Sequence, residues 1–418
     1  MNRLRAFTSS VLLLGVLAAC AAPRQTAIPT TIAPAPTTQP PNSPILPSST
    51  ELFLARPDSA RGPLVAYDVA NGQQLFHLPA GLMSADEKAY LAADVAGDKT
   101  TLQMFDVHTG QPVKAFPFDS QWELSAVSPN GRWAALTRVW SAAEKQQQAS
   151  AGTVKAEVLV VDTQSGEAAH RVSLDGNFEV DGLSNRGDSL FLIEYLPALN
   201  PDHYQIRLYD LAVRKLQDVV LVDKRAPDEV MAGEAREAVG SRDGRWLLTL
   251  YLRTKGHSAF IHALNLNDKF TLCIDLPSGD GDMEKLKSYS LALAPDGHTL
   301  YVANSELGLV ARVNLNDLSV TNAARFEAAG APLLSNPQTT GRSVVSPDGK
   351  YLYFTDGAQA WAHQTGSAVA TVFDLSTPIT SLGVSRDGHR LYATTTDRLL
   401  RVFDAASGAA LSFPVMSQ

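Results

Sequence analysis

An apolar run, then Pro-Asp-Gly, then a run alternating apolar and aromatic residues: SVVSPDGKYLYFTDG at 343–357 reads as strand, tight turn, strand. Near-copies stand elsewhere, as LALAPDGHTLYVAN, SLGVSRDGHRLYATT, EAVGSRDGRWLLTL and LSAVSPNGRWAALT. Aligned on the turn, Gly349 corresponds to Gly131, Gly244, Gly297 and Gly388, and GLSNRGDSLFLI adds Gly187. LMSADEKAYLAAD fits with Glu87 in the glycine slot, and ILPSSTELFLAR fits more loosely with Ser49 there. The slots are spaced 38, 44, 56, 57, 53, 52 and 39 residues apart. A unit recurring at that period signals a propeller or a solenoid.

Each unit has a second half of one form. PLVAYDVANGQQLFHL, LQMFDVHTGQPVKAF, EVLVVDTQSGEAAHRV, QIRLYDLAVRKLQDV and LLRVFDAASGAALSF each run an alternating strand into Asp, a short turn and another strand, with Asn replacing Asp in VARVNLNDLSV. The carboxylate there accepts backbone N–H groups just beyond it and fixes the turn. The unit is therefore four antiparallel strands, A to D, with tight turns at A–B and C–D. Period-2 alternation with paired tight turns excludes a helical solenoid. The fold class is all-β, a β-propeller of four-stranded antiparallel blades. Eight modules can be counted. The first, 43–80, has a poor A strand, SPIL, between prolines; without it the ring has seven blades and an irregular first module.

These units resemble the YVTN-type propeller repeats and the related SPDGK-containing repeats of TolB-like and WD40-like bacterial proteins. The resemblance covers residues 43–415. It implies the propeller fold and says little about function, because the shared turn residues serve folding. The recurring Trp-Asp of a true WD40 array is missing.

Ahead of the repeats, MNRLRAFTSSVLLLGVLAAC has early arginines, no acid and a short apolar run, the form of a signal peptide over 1–19. The run is too short to span a bilayer as a helix. Leu17-Ala18-Ala19-Cys20 resembles the bacterial lipobox, which implies that Cys20 is acylated and begins the mature chain. Residues 20–42, rich in Pro, Thr and Ala, read as a lipid-anchored linker of polyproline character. Residues 43–418 are the propeller domain. The expected location is extracytoplasmic, lipid-anchored to the bacterial cell membrane, the outer membrane in a Gram-negative cell.

Loss of 1–19 removes Arg3 and Arg5 and moves the formal charge from −8 to −10. An acidic head argues against nucleic acid, whose phosphates need a basic face. It offers lipid no polybasic attraction, so the acyl chain would hold the membrane. With Cys20 acylated only Cys273 remains, and an internal disulfide is impossible.

Strand alternation puts A–B and C–D turns on one face, and B–C loops and D–A links on the other. The long segments nearly all belong to the second set: RVWSAAEKQQQASAGTVKA and EYLPALNPDHYQ as B–C loops, and VDKRAPDEVMAGEAREAV, PSGDGDMEKLKS and EAAGAPLLSNPQTTGR as links. Long loops on one face of a stiff scaffold are where binding resides. Trp140, Tyr195, His203, Tyr204, Arg225, Arg253 and Trp361 fall in or beside that face, and aromatics and Arg are the usual interface anchors.

Chemical signatures are few. The chain has no Gly-x-Ser-x-Gly, His-Glu-x-x-His, phosphate loop or dinucleotide fingerprint. His298 and His389 read as solvated turn residues. His257 and His262 point to opposite faces of one strand, so one metal cannot easily use both. Asp280, Asp282 and Glu284 read as an acidic surface loop ahead of calcium ligands, and Cys273 as a packed strand residue. No catalytic residue, metal or cofactor is assigned. The expected function is a non-catalytic binding module for a protein, peptide or glycan. A propeller enzyme, lactonase-like or a dehydrogenase subunit, and a structural envelope component are the alternatives.

Overall fold

The A–B turns show how the repeats fold. In 343–357 the Ser346 hydroxyl donates to Asp348 Oδ1 (2.6 Å) and accepts from the Tyr351 amide (3.0 Å), while the Lys350 amide donates to Asp348 (3.1 Å). Gly349 closes the turn at φ +74°. Ser385/Asp387 and Ser241/Asp243 repeat the network. Glu87, in the glycine slot, adopts φ +61° without being glycine. The C–D turns also match expectation: Asp106 accepts from the His108 and Thr109 amides (2.7 and 3.0 Å), and Asn265 from those of Asn267 and Asp268 (3.1 and 2.7 Å).

The computed structural model describes residues 51–413 except 57–61, 227–229, 280, 327–342, 358, 365–368 and 376. Its strands form eight antiparallel sheets, the blades of an eight-bladed propeller. Blade 1 comprises Leu52–Ala55, Leu64–Asp68 and Gln74–Leu78, which are strands B to D. Strands A to D of blade 2 are Leu82–Met83, Tyr90–Ala96, Lys99–Phe105 and Pro112–Asp119. Those of blade 3 are Trp122–Val127, Trp133–Arg138, Lys155–Asp162 and Ala168–Asp175. Blade 4 has Asn177–Leu183, Ser189–Leu196, His203–Asp210 and Lys215–Leu221. Blade 5 has Glu234–Gly240, Trp246–Arg253, Ser258–Asn265 and Phe270–Asp275. Blade 6 has Tyr289–Leu293, Thr299–Asn304, Leu309–Asn314 and Ser319–Arg325. Blade 7 has Ser343–Val345, Tyr351–Thr355, Gln359–Gln364 and Val369–Asp374, and blade 8 Ile379–Val384, Arg390–Thr395, Leu400–Asp404 and Ala410–Leu411. The segments expected to be a signal peptide, a linker and the SPIL strand, and Cys20 with them, lie outside the described residues.

The A strands form the inner ring. The Leu291 amide of blade 6 donates to Glu237 of blade 5 (3.0 Å), and the Ser290 and Ser343 hydroxyls of blades 6 and 7 meet at 2.5 Å. Blade faces pack on one another through apolar side chains, for instance Leu248, Leu250 and Ile261 of blade 5 with Leu291, Leu300 and Val302 of blade 6. Truncating such a side chain to Ala would cost about 2–5 kcal/mol. The ring closes between blades 8 and 1: Phe53, Val65 and Tyr67 pack with Tyr392, Leu400 and Val402. The Arg386 amide and Tyr392 hydroxyl donate to the Glu51 carboxylate (2.8 and 3.2 Å). Among the described residues no strand is exchanged between the chain's two ends.

Within the long B–C loop of blade 3, a helix, α1, Ala142–Ser150, was not anticipated. Ser141 and Glu144 form a reciprocal capping box at its start. A one-turn helix, α2, Met283–Leu286, lies in the link between blades 5 and 6. No helix among the described residues is long and apolar enough to cross a membrane.

Candidate functional site

The long-loop face is best furnished where blades 4 and 5 meet. Strand periodicity sends Ile193, Tyr204 and Ile206 of blade 4 and Tyr251 and Phe260 of blade 5 into one cluster, capped by Met231 from the connecting link, with Tyr195, Leu221 and Cys273 against it. The rings run in series: Tyr195 to Tyr204 edge-on at 6.2 Å, Tyr204 stacked on Tyr251 at 5.6 Å, Tyr251 stacked on Phe260 at 5.3 Å. The Arg253 guanidinium lies 4.0 Å over the Phe260 ring and pairs with Asp275 at 2.9 Å. Burial raises the hydroxyl pKa of Tyr195, Tyr204 and Tyr251, and neighbouring acidic groups add to the effect.

A clamp fixes the link to the outer edge of blade 5. Buried Asp223 accepts from the Cys273 amide (2.9 Å) and from Arg225 (2.6 Å), whose guanidinium also donates to the Cys273 carbonyl (2.6 Å). The pair thus satisfies both outward groups of an edge residue, as a neighbouring strand would. Burial pulls the Asp223 carboxyl up, but the Arg225 guanidinium and two backbone amides outweigh it and hold the carboxyl below its usual range. Val222, Asp223, Ala226, Met231, Arg253, Phe260 and Cys273 line a narrow cleft here.

Of the residues singled out from sequence, Tyr195, Tyr204, Arg225 and Arg253 are brought together at this seam. His203 stands beside Tyr204 and pairs with Asp202 (2.5 Å). Trp140 is separate: it lies on blade 3 under the Arg138 guanidinium at 4.1 Å, just ahead of α1. Trp361 is no surface group. It is 4 % exposed, stacked on Phe354 at 5.5 Å inside the seam between blades 6 and 7, because its strand position faces the neighbouring blade. Tyr204, also 4 % exposed, supports the face from below.

Other groups fall as follows. His298 and His389 are exposed turn residues. His257 is exposed and contacts the Gly281 carbonyl (2.9 Å), whereas His262 is fully buried. Asp282 caps α2 by accepting from the Glu284 amide (3.0 Å), and Glu284 pairs with Lys287 (2.6 Å). Asp280 and the link 327–342 lie outside the described residues. Among the described residues no three His, Cys, Asp or Glu side chains cluster as a metal site would require. Sequence reading missed a buried pair beneath the tyrosines, His262 Nε2 at 3.6 Å from Asp181 Oδ2 across the two blades. Nothing local could have signalled it, since the partners belong to different blades.

No protein-family model and no curated protein matches this sequence. Among solved structures, the chain is similar to dihydro-heme d1 dehydrogenase NirN, in complex with DHE, at 16 % identity and TM-score 0.50, over 91 % of this chain and 76 % of that one. It is similar to the periplasmic gluconolactonase PpgL of Pseudomonas aeruginosa at 17 % identity and TM-score 0.41, over 78 % and 94 %. It is also similar to the β-propeller domain of Myceliophteria thermophila Cps50 (Swd1) at 13 % identity and TM-score 0.43, over 84 % and 97 %. At such identities the likeness concerns the fold alone: the protein is a β-propeller.

Proposed function

We propose that this chain is an extracytoplasmic lipoprotein of the YVTN-type, TolB-like repeat kind, whose propeller head is a non-catalytic binding module. It engages a protein, peptide or glycan through the long-loop face, and Cys20 carries the lipid. The observation behind this reading is the seam of blades 4 and 5. Aromatic rings and two arginines there are held by stacking and by the Asp223 clamp, on the face where the loops are longest. Groups fixed before binding lose little entropy on association. The Asp181–His262 pair is the feature that favours the enzyme alternative. Its side chains are 7 % and 0 % exposed, so a substrate has no direct route to it.

A photo-crosslinking residue placed on cells at exposed Leu199, in the B–C loop of blade 4, or at exposed Val213, in a C–D turn, tests the face. Discrete adducts from position 199 and none from 213 are expected; adducts from 213 alone, or from neither, overturn the reading. Cys20→Ala should release the protein from the membrane pellet, and retention as firm as wild type would remove the anchor.

A further inference from the structure

On the side of blades 2 to 5 the axial channel is floored at its short-turn end. Arg242, in the A–B turn of blade 5, pairs at 3.0 Å with Glu87 in that of blade 2, past the two blades between. A Cβ on Gly240 of blade 5 would stand 2.9 Å from the Cβ of Ala85 in blade 2. The Asp86 amide donates to the Pro129 carbonyl (3.1 Å) and the Asn130 amide to Asn185 Oδ1 (2.9 Å), which joins the turns of blades 2, 3 and 4. The inner wall above this floor is therefore reached from the long-loop face. Strand A of blade 4 is bulged in that wall: Val180 pairs with Leu192 and Gly182 with Phe191, and Asp181 is the extra residue. A bulge re-aims its side chain. Asp181 points across the seam to blade 5, where His262 Nε2 lies 3.6 Å from Oδ2, beyond hydrogen-bond reach. Glu179 pairs with Ile193 and so shares that side of the strand. It is exposed and accepts from the Tyr195 hydroxyl (2.9 Å). Opposite, Ala235 and Ala238 of blade 5 are exposed, and pairing with Tyr251 and Thr249 turns them toward blade 4. Arg236 between them pairs with Glu234 (2.7 Å). The inner end of the seam is thus a recess with carboxylates on one side, small side chains on the other and tyrosine hydroxyls behind.

Two polar groups in the recess lack partners among the described residues. Asp181 Oδ2 accepts no hydrogen bond, though its side chain is only 7 % exposed. The buried Tyr204 hydroxyl stands beside that of Tyr251 without hydrogen-bond geometry. Burial raises the hydroxyl pKa of Tyr195, Tyr204 and Tyr251, and the Asp181 charge adds to the rise in all three, which sets this carboxylate against each ring. A buried carboxylate without a donor is costly. We propose that the recess binds a primary ammonium group, carried on the end of a narrow chain that enters from the long-loop face. Three N–H donors on one atom match the Glu179 carboxylate, Asp181 Oδ2 and the Tyr204 hydroxyl. A quaternary ammonium would bring charge but no donor. A divalent metal is a poorer match, since among the described residues no three His, Cys, Asp or Glu side chains gather. The body of a substrate stays outside; only a chain tip passes between Glu179 and Ala235. The inference rests on the long-loop reading above and narrows its partner to one bearing a lysine side chain or a free amine.

The test uses the full-length protein in neutral detergent, with carbon-13-labelled tyrosine rings read by NMR and assigned through Tyr195→Phe and Tyr204→Phe. Butylammonium chloride, Nα-acetyl-lysine methylamide and tetramethylammonium chloride are titrated at equal ionic strength. The first two should move the Tyr195 and Tyr204 resonances saturably, and tetramethylammonium should not. Glu179→Gln and Asp181→Asn should each weaken amine binding about tenfold or more, the loss expected of a charged hydrogen bond. Should Asp181→Asn fail to fold, Glu179→Gln, at the exposed mouth, decides alone. Tighter binding of the lysine derivative assigns the amine to a protein; equal or tighter binding of butylammonium assigns it to a free amine. No saturable shift, an equal response to tetramethylammonium, or unchanged affinity in Glu179→Gln overturns the proposal. These titrations need no partner, so their failure leaves adducts from position 199 standing, and failure of the crosslinking leaves a positive titration standing.

Discussion

Two glycines in equivalent turns separate backbone strain from packing. Gly349 and Gly187 have φ of +74° and +68°. A Cβ at Gly349 would meet nothing within 4 Å, whereas at Gly187 it would lie 2.2 Å from Cε2 of Trp133 on the preceding blade. Alanine at either site incurs the left-handed penalty of roughly 1–2 kcal/mol. At Gly187 it must also displace an indole packed in the seam, and overpacking adds about 1–3 kcal/mol. Gly349→Ala should therefore lose about 1–2 kcal/mol and Gly187→Ala about 2–5 kcal/mol, read as shifts in urea midpoint at constant slope. Glu87 supplies the converse. It already sits at φ +61°, so Glu87→Gly relieves strain while loosening the unfolded chain, for a net change between zero and a gain of ~1 kcal/mol. Equal losses at the two glycines would refute the claim that turn glycines also set blade-to-blade packing.

Acid should weaken the A–B turns. The Ser346 hydroxyl and Lys350 amide hold the Asp348 carboxyl down at about 2, and the Ser385 hydroxyl and His389 amide lower Asp387. A depressed folded value means that this stability is complete above the unfolded value of about 3.9 and is lost as pH falls toward about 2. Melting temperature should drop across that window, and Asp348→Asn with Asp387→Asn should flatten the drop. Asp223→Ala should leave the Cys273 amide without its acceptor at ~1–3 kcal/mol, with faster exchange along strand D of blade 5 as the readout. Trp361→Ala should lose about 3–5 kcal/mol as a seam residue and leave the partner affinity of the folded fraction unchanged.

The turns were legible because their chemistry is local. A residue at positive φ, an Asp three positions before the next strand and a Ser that bonds both are all contained within six residues, as in 346–351. Even Glu87 could be placed in its slot by alignment alone. The capping signal for α1, Ser141 followed by Glu144, is equally local, but it is only three residues long and stands in a loop with no apolar periodicity behind it. Packing between blades was less legible. Alternation tells that residues 360 and 361 face opposite ways, but not that both faces of a blade are covered; hence Trp361 read as surface. Asp181 and His262 meet only because blade 4 abuts blade 5, which no spacing within either segment announces. The Asp223 clamp joins residues of a link and the strand D of the following blade for the same reason.

The account stands on which face binds. Once crosslinking has delivered a partner, its affinity for the purified protein should be measured by calorimetry for four variants with matched melting temperatures. Tyr195→Ala and Arg225→Ala alter the seam of blades 4 and 5, and Glu167→Lys and Lys215→Glu reverse charges on the short-turn face. The account predicts that each seam variant weakens binding about tenfold or more, a loss of roughly 1.4 kcal/mol, and that the turn variants bind as wild type. Binding abolished by the turn variants and untouched by the seam variants would contradict it.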